Sequence, residues 1–177
     1  MNANSILSPA RRRARGASLF APLLACTVAL VATPAHEASA TPGNGVTPRM
    51  VGMGVLPEPV RAKLKADHHE GFGDGTSVAD IVVVEYTVAP GGYFGWHQHG
   101  GPVWVIVQQG TLTLYDSDDA TCTGTVYTAG NAFLDAGDHT HNARNETGAP
   151  VVVYGTFMLP DGAALRVDAP NPGNCPF

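Results

Sequence analysis

Residues 91–99 read Gly-Gly-Tyr-Phe-Gly-Trp-His-Gln-His and place two histidines, His97 and His99, two positions apart. Residues two apart on a β-strand project from the same face, so an extended chain here directs both imidazoles at one point. A third histidine, His141, follows 42 residues later within Gly-Asp-His-Thr-His-Asn-Ala-Arg-Asn, residues 137–145. Different strands lining one barrel can supply two close ligands and a distant third. The sequence therefore predicts a three-histidine metal site inside a small β-barrel.

Short β-rich segments recur on both sides of this stretch, with turn residues between them. The predicted strands cover residues 81–88, 103–108, 111–115, 124–127, 132–135, 139–144, 151–157 and 165–167. Many short strands separated by Gly, Pro, Asn and Asp indicate a sandwich or closed barrel. No apolar pattern of helical period is long enough for a helical domain. We predict an all-β fold, a small double-sheet barrel.

The first forty residues are predicted to be a signal peptide. Four arginines between residues 11 and 15 precede an apolar run over residues 19–32, and Ala38-Ser39-Ala40 has the small residues of a cleavage site. The run is shorter than the roughly 20 apolar residues of a bilayer span. We expect cleavage after Ala40 and a secreted protein with no membrane segment. A lipoprotein start at Cys26 and twin-arginine export are the alternatives.

Residues 41–75 are rich in Gly and Pro without a clear period. They predict an irregular N-terminal arm, with a short helix over residues 58–65 as a candidate, since proline is tolerated in a first turn. His68-His69-Glu70 resembles a metal cluster, but adjacent residues on a strand diverge, so a solvated turn is favoured. The barrel and a C-terminal tail are predicted over residues 76–177.

The charge of the mature chain argues against nucleic acid as a partner. Removing residues 1–40 takes four arginines and one glutamate from totals of 10 basic and 15 acidic side chains, which leaves a formal charge of −8. Nucleic-acid binding depends on neutralising phosphates with basic side chains. Metal ions and small molecules are the expected partners.

Two cysteines, Cys122 and Cys175, remain after the signal is removed. An even pair in an exported protein is usually a disulfide. The prediction is a bridge that ties the C-terminal tail to the loop after Asp119; two separate buried thiols are the alternative.

Two motifs in this order resemble the cupin superfamily. Gly91, His97, His99 and Gly110 match the spacing of the first cupin motif, and Gly130, His141 and Asn145 match the second. The resemblance covers about residues 76–160 and extends to small exported single-cupin proteins. It implies a jelly-roll barrel that often pairs through edge strands, so a homodimer is a candidate assembly.

The chain departs from the cupin pattern at one metal ligand. Val103 stands where the family has a glutamate, and a valine side chain cannot bind an ion. In the second motif, Ala136 and Asp138 replace a proline and a glycine, so the turn before His141 is expected to differ. The ligands carried over are His97, His99 and His141.

The resemblance implies one divalent metal ion: iron, manganese, zinc or nickel. Three protein ligands leave coordination positions open for water or substrate, and some cupin dioxygenases acting on thiols or diketones use three histidines. The expected function is dioxygenase- or isomerase-like chemistry on a small chelating metabolite. The alternatives are a non-catalytic module that binds a metal or small molecule, and a barrel whose histidines are hydrogen-bonded without metal.

Two further side chains are candidates for the metal ligand that is missing at Val103. If residues 139–141 are extended, His139 faces the same way as His141 and is a candidate fourth ligand or a hydrogen-bond donor to a ligand; a solvated histidine at the barrel mouth is the alternative. Glu85 is a candidate replacement carboxylate, although an outward-facing carboxylate is the commoner outcome on such a strand.

Overall fold

The computed structural model describes residues 40–62 and 76–177. The predicted signal peptide, apart from Ala40, lies outside the described residues, as do the His68-His69-Glu70 cluster and the end of the candidate helix. The described ranges contain no helix that is long and apolar enough to span a membrane.

The described residues form ten β-strands that pair antiparallel throughout. The strands are β1 Asn44–Ala62, β2 Thr76–Tyr93, β3 His97–Gln98, β4 Val103–Gln109, β5 Thr111–Asp116, β6 Thr125–Thr128, β7 Ala132–Asp135, β8 His141–Arg144, β9 Val151–Leu159 and β10 Val167–Asp168. The prediction of an all-β barrel is confirmed, and each of the eight predicted segments lies within or overlaps a strand.

The strands divide into two layers. One layer has the order β1-β2-β9-β4-β7, and the other has the order β10-β3-β8-β5-β6. The layers are joined where Tyr93 at the end of β2 pairs with Arg144 on β8. This near-closed, double-sheet arrangement is that of a jelly roll.

The N-terminal arm differs from its prediction. Asn44–Ala62 form β1, a strand paired with β2 from Asn44↔Tyr93 to Ala62↔Thr76, interrupted by register shifts. The prediction of an irregular arm is therefore wrong for these residues, and so is the prediction of a helix for residues 58–62. Long-range pairing with β2 supplies the backbone hydrogen bonds, so the low strand propensity of the local Gly and Pro residues does not prevent a strand.

Side chains of alternating burial fill the space between the layers. β9 alternates buried and half-buried residues along its whole length, as expected for a strand with one face in the core. One core cluster centres on Val88, Val107 and Val151, and a second contains Val103 and Phe157. The histidine-bearing strands β3 and β8 lie beside this core.

Candidate metal centre

His97, His99 and His141 converge inside the barrel. His97 on β3 pairs directly with His141 on β8, and His99 follows β3 immediately. The ring centroids are 4.3 Å apart for His97 and His141, 4.8 Å for His97 and His99, and 5.1 Å for His99 and His141. One potential ligand atom of each ring lies within 4.8 Å of the other two. The predicted histidine cluster is confirmed.

Each imidazole is oriented by an acceptor at its Nδ1 atom. The Nδ1 of His97 lies 2.8 Å from the carbonyl oxygen of Gly95, and that of His99 lies 2.7 Å from the carbonyl oxygen of Leu165. The Nδ1 of His141 lies 2.7 Å from a carboxylate oxygen of Asp135. Since a carbonyl or carboxylate oxygen only accepts, Nδ1 must carry the proton in each ring. The Nε2 lone pairs are then available to a metal ion.

Gly95 is required for the backbone that orients His97. Its φ of +76° is in the left-handed region, and a Cβ built there would lie 2.1 Å from the carbonyl oxygen of Thr41. The same Thr41 accepts a hydrogen bond from the amide of Trp96 through its hydroxyl. Only glycine permits this close approach of the N-terminal segment, which supports the strand bearing His97.

Asp135 is a site residue that the sequence reasoning did not identify. It ends β7, is only 8% exposed, and pairs across the sheet with Val103. One carboxylate oxygen faces His141 and the other accepts a hydrogen bond of 2.6 Å from the amide of Gly137. The residue thus places a negative charge behind the imidazole of His141, opposite Val103 on the neighbouring strand. Its place inside the second motif, between Gly130 and His141, is the one signal that could have drawn attention to it.

Asp135 and His141 stabilise each other's charged forms. Burial by itself raises the pKa of Asp135, but the charge and hydrogen bond of His141 outweigh it and lower that pKa to about 2. Burial likewise opposes the charge of His141, yet Asp135 raises the pKa of His141 above its ordinary value. Asp135 therefore supplies a negative charge at the edge of the site, whereas three neutral imidazoles alone would leave a bound ion uncompensated.

His97 and His99 are held in their neutral forms. Burial, followed by the neighbouring histidines, lowers the pKa of His97 well below its usual range. Burial and the charge of His141 lower the pKa of His99 to about 4. Two of the three imidazoles are consequently unprotonated at neutral pH, which is the state that binds metal ions.

Val103 is packed as a core residue beside the site. It is 1% exposed and lies opposite Phe157 on β9, whose ring meets His99 edge-on at 5.3 Å between centroids. An apolar contact therefore occupies the space that a liganding carboxylate would need.

His139 does not join the three-histidine cluster. Its Nε2 lies 2.9 Å from Asp118 Oδ2 and 3.2 Å from Asp116 Oδ1, so its side chain belongs to a separate acidic group at the barrel rim. Its carbonyl oxygen lies 3.1 Å from the Nδ1 of His141. The fourth-ligand hypothesis for the His139 side chain is not supported by this geometry, because residues 139–141 do not direct both rings inward.

Glu85 faces outward, which is the commoner orientation for a carboxylate on such a strand. Both its oxygens accept hydrogen bonds from Arg49, at 2.9 Å from Nε and 2.7 Å from Nη2, and Tyr154 donates to it as well. Those hydrogen bonds lower the pKa of Glu85 to about 2. It does not replace the missing ligand.

The histidines open into a cavity of about 80 Å³. This volume is several times the 10–15 Å³ that one water molecule needs. Its walls are mainly apolar and aromatic, formed by Tyr86, Phe94, Val103, Val105, Leu112, Leu114, Phe133, Ala143, Val153, Gly155 and Phe157. Asp135 and Arg166 complete the lining. Such a cavity suits a small, largely apolar molecule.

The predicted bridge between Cys122 and Cys175 is present, with the two Cα atoms 5.2 Å apart. Cys175 is buried against Trp96 and Ala169, beside the strand that carries His97. The disulfide therefore fixes the C-terminal tail against Trp96, next to His97 in the chain, and disulfides are typical of oxidising compartments.

The donor set fits a divalent metal ion. Three imidazoles oriented through Nδ1, of which His97 and His141 are buried and His99 is half-buried, are an arrangement found around protein-bound zinc and other first-row metals. The Asp135–His141 contact reproduces the carboxylate–histidine pair that commonly supports a metal ligand. The described residues can therefore bind a metal.

The comparisons with known proteins agree with the fold. Residues 84–157 match the sequence profile described as Cupin_2, cupin domain. No curated protein sequence matches the chain.

Solved structures of similar architecture share little sequence with the chain. A double-stranded β-helix protein of Klebsiella pneumoniae is 20% identical, with 64% of this chain and 85% of that chain covered and a TM-score of 0.43. The polyketide cyclase RemF of Streptomyces resistomycificus is 14% identical, with coverages of 77% and 84% and a TM-score of 0.48. The Cupin_2 domain of a transcriptional regulator from Enterobacter cloacae is 18% identical, with coverages of 66% and 99% and a TM-score of 0.42. Residues 84–157 thus match a cupin-domain profile, and the barrel encloses a three-histidine cluster able to bind a metal.

Proposed function

We propose that this protein binds one divalent metal ion through His97, His99 and His141 and acts on a small chelating metabolite by dioxygenase- or isomerase-type chemistry. The observation that carries the proposal is the convergence of three Nδ1-anchored imidazoles on a mainly apolar cavity. Because each Nδ1 is already engaged, the Nε2 atoms of the three rings are the ones left to bind an ion.

The residues around the ion have separable roles. A bound divalent ion supplies Lewis acidity and open coordination positions for oxygen or sulfur atoms of a ligand. Asp135 orients His141 and offsets part of the positive charge. Phe94, which stacks on His97 at 5.9 Å, and Phe157, which packs against His99, restrict water beside the histidines. The site is therefore preorganised before a ligand enters.

Two assays test the proposal with metal-loaded protein. Iron-loaded protein is supplied with a 1,3-diketone or a small thiol, and consumption of dioxygen is followed. Zinc- or manganese-loaded protein is supplied with a hydroxyketone in deuterated water, and deuterium uptake beside the carbonyl is followed by NMR. Turnover in either assay that is lost in His141→Ala supports the proposal, whereas turnover equal to that of His141→Ala in both contradicts it.

One observation favours the second candidate, a non-catalytic module that binds a metal or small molecule. Asp135 is the single carboxylate lining the described cavity, and its two oxygens are already engaged by His141 and Gly137. The described lining residues therefore include no carboxylate that is free to act as a general base. Tight binding of a chelating ligand without turnover in either assay identifies this function.

We also propose that the protein is exported and acts outside the cytoplasm. The arginine cluster, the apolar run and Ala38-Ser39-Ala40 support a signal peptide, and the Cys122–Cys175 disulfide suits an oxidising compartment. Mass analysis of the exported protein is expected to find a mature N-terminus at Thr41. A mature start at Cys26 contradicts the cleavage site in favour of a lipoprotein.

A further inference from the structure

The segment from Ala164 to Ala169 is held along the strand that carries the metal-facing histidines. The amide of Gly100 donates to the carbonyl oxygen of Ala164, and the amide of Ala169 donates to that of Trp96. Between these points β10 pairs with β3, and the Nδ1 of His99 bonds to the carbonyl oxygen of Leu165. The backbone on both sides of residue 166 is therefore fixed relative to the histidines.

Arg166 projects from this segment into the lining of the cavity. Its Nε donates a hydrogen bond to Asp168, which anchors the guanidinium. Its Nη2, by contrast, is buried and has no hydrogen-bond partner. A buried donor of a charged group that lacks an acceptor costs free energy, so this position is built for an acceptor that is not part of the described chain.

The other described lining residues cannot satisfy that donor. Apart from the three histidines, the polar side chains of the lining are Asp135, whose carboxylate is bound by His141 and Gly137, and Tyr86, whose hydroxyl makes no hydrogen bond with Arg166. Burial and neighbouring histidines lower the pKa of His97 and His99, and the positive charge of Arg166 adds to this lowering. The same positive field favours a negatively charged ligand in the cavity.

We propose that Arg166 binds the carboxylate of a small carboxylic acid whose apolar body occupies the cavity. This inference rests on the proposed function and names the class of its metabolite. A carboxylate is favoured because a guanidinium matches its planar shape and charge. The mainly apolar walls require an apolar body, so inorganic phosphate, which has none, is expected to bind poorly.

Calorimetric titration of zinc-loaded and metal-free protein tests the proposal. The probes are butyrate and benzoate, their uncharged isosteres butyramide and benzamide, and inorganic phosphate. Wild type is expected to bind at least one acid about 10- to 100-fold more tightly than its amide, the discrimination typical of a hydrogen bond to a charged group. Arg166→Gln and Arg166→Met should both abolish this preference while leaving amide binding unchanged.

Arg49→Gln is the matched control, because it removes the same charge from an exposed arginine paired with Glu85. It is expected to keep the wild-type preference. A thermal melt verifies folding, and the two Arg166 variants provide independent replacements should one fail to fold. The proposal is overturned if a folded Arg166 variant retains the wild-type preference, if wild type has no preference for an acid, or if phosphate binds as tightly as the acids.

Metal content measured on the same samples separates the two proposals. Wild type and both Arg166 variants are expected to contain equal amounts of metal, since Arg166 is not a ligand. An acid preference that depends on Arg166 in protein that binds no metal rejects the proposed function but not the arginine's role. Full metal content with an acid preference independent of Arg166 rejects the arginine's role alone.

Discussion

At the scale of single residues, the carboxylate nearest the three histidines acts on the site through one of them. Val103 is packed against Phe157, while Asp135 lies opposite Val103 on the neighbouring strand. Asp135 reaches the site through His141 rather than directly. A negative charge thus lies behind one of the three imidazoles, and the proposed ion would keep coordination positions for a ligand.

Replacing Asp135 with asparagine is expected to weaken metal binding about 10- to 100-fold, the usual cost of losing a residue that supports a metal ligand. Asparagine keeps the size of the side chain but removes the negative charge beside His141. Competition with a chromogenic chelator measures the affinity, with Asp138→Asn, an exposed position, as the control. Equal affinities for Asp135→Asn and wild type would show that Asp135 has only a structural role.

Replacing Val103 with glutamate is expected to have opposite effects on the metal-free and metal-bound proteins. A carboxylate at this buried position has no partner without metal, so the melting temperature of the metal-free protein should fall. With metal, the carboxylate can complete a four-ligand set, so the rise in melting temperature on metal addition should exceed that of wild type. Val103→Gln, which lacks the charge, should show the fall without the larger rise. A metal-induced rise no greater than in wild type contradicts this account.

At the scale of structural elements, eight of the ten strands in the described residues could be predicted from the sequence, and β1 and β3 could not. β9 and β7 carry their own sequence signals, and β7 has the predicted bounds, Ala132–Asp135. β1 does not, because its Gly- and Pro-rich sequence becomes a strand only through pairing with β2. β3 has two residues and depends on its neighbours β8 and β10 for its conformation.

The disulfide is expected to stabilise the element that carries Arg166. Cys122 and Cys175 are 53 residues apart, and closing a loop of that length contributes about 4 kcal/mol in the chain-entropy account. Cys122→Ser with Cys175→Ser should lower the free energy of unfolding by an amount of this order, measured by denaturant titration. Non-reducing mass spectrometry of the wild type must show no free thiol at either position. Two free thiols in the folded protein, or no loss of stability in the double variant, would contradict this role.

At the scale of the whole molecule, the histidine cluster could be predicted but its surroundings could not. His97 and His99 share a strand face by spacing alone, and the second motif identifies His141. Asp135 and Arg166 have ordinary local sequence and enter the site only because β7 and the tail fold against the barrel. Such long-range placement leaves no periodic signal in a single sequence.

The metal content of purified protein and of four histidine variants tests the central claim most directly. We predict one divalent ion per chain in wild type, retained in His139→Ala because that side chain is bound to Asp116 and Asp118 outside the cluster. His97→Ala, His99→Ala and His141→Ala should remain folded but lose most of the metal, since each leaves only two imidazoles. Full metal occupancy in both His97→Ala and His141→Ala would contradict the account, and so would loss of metal in His139→Ala as complete as in His141→Ala.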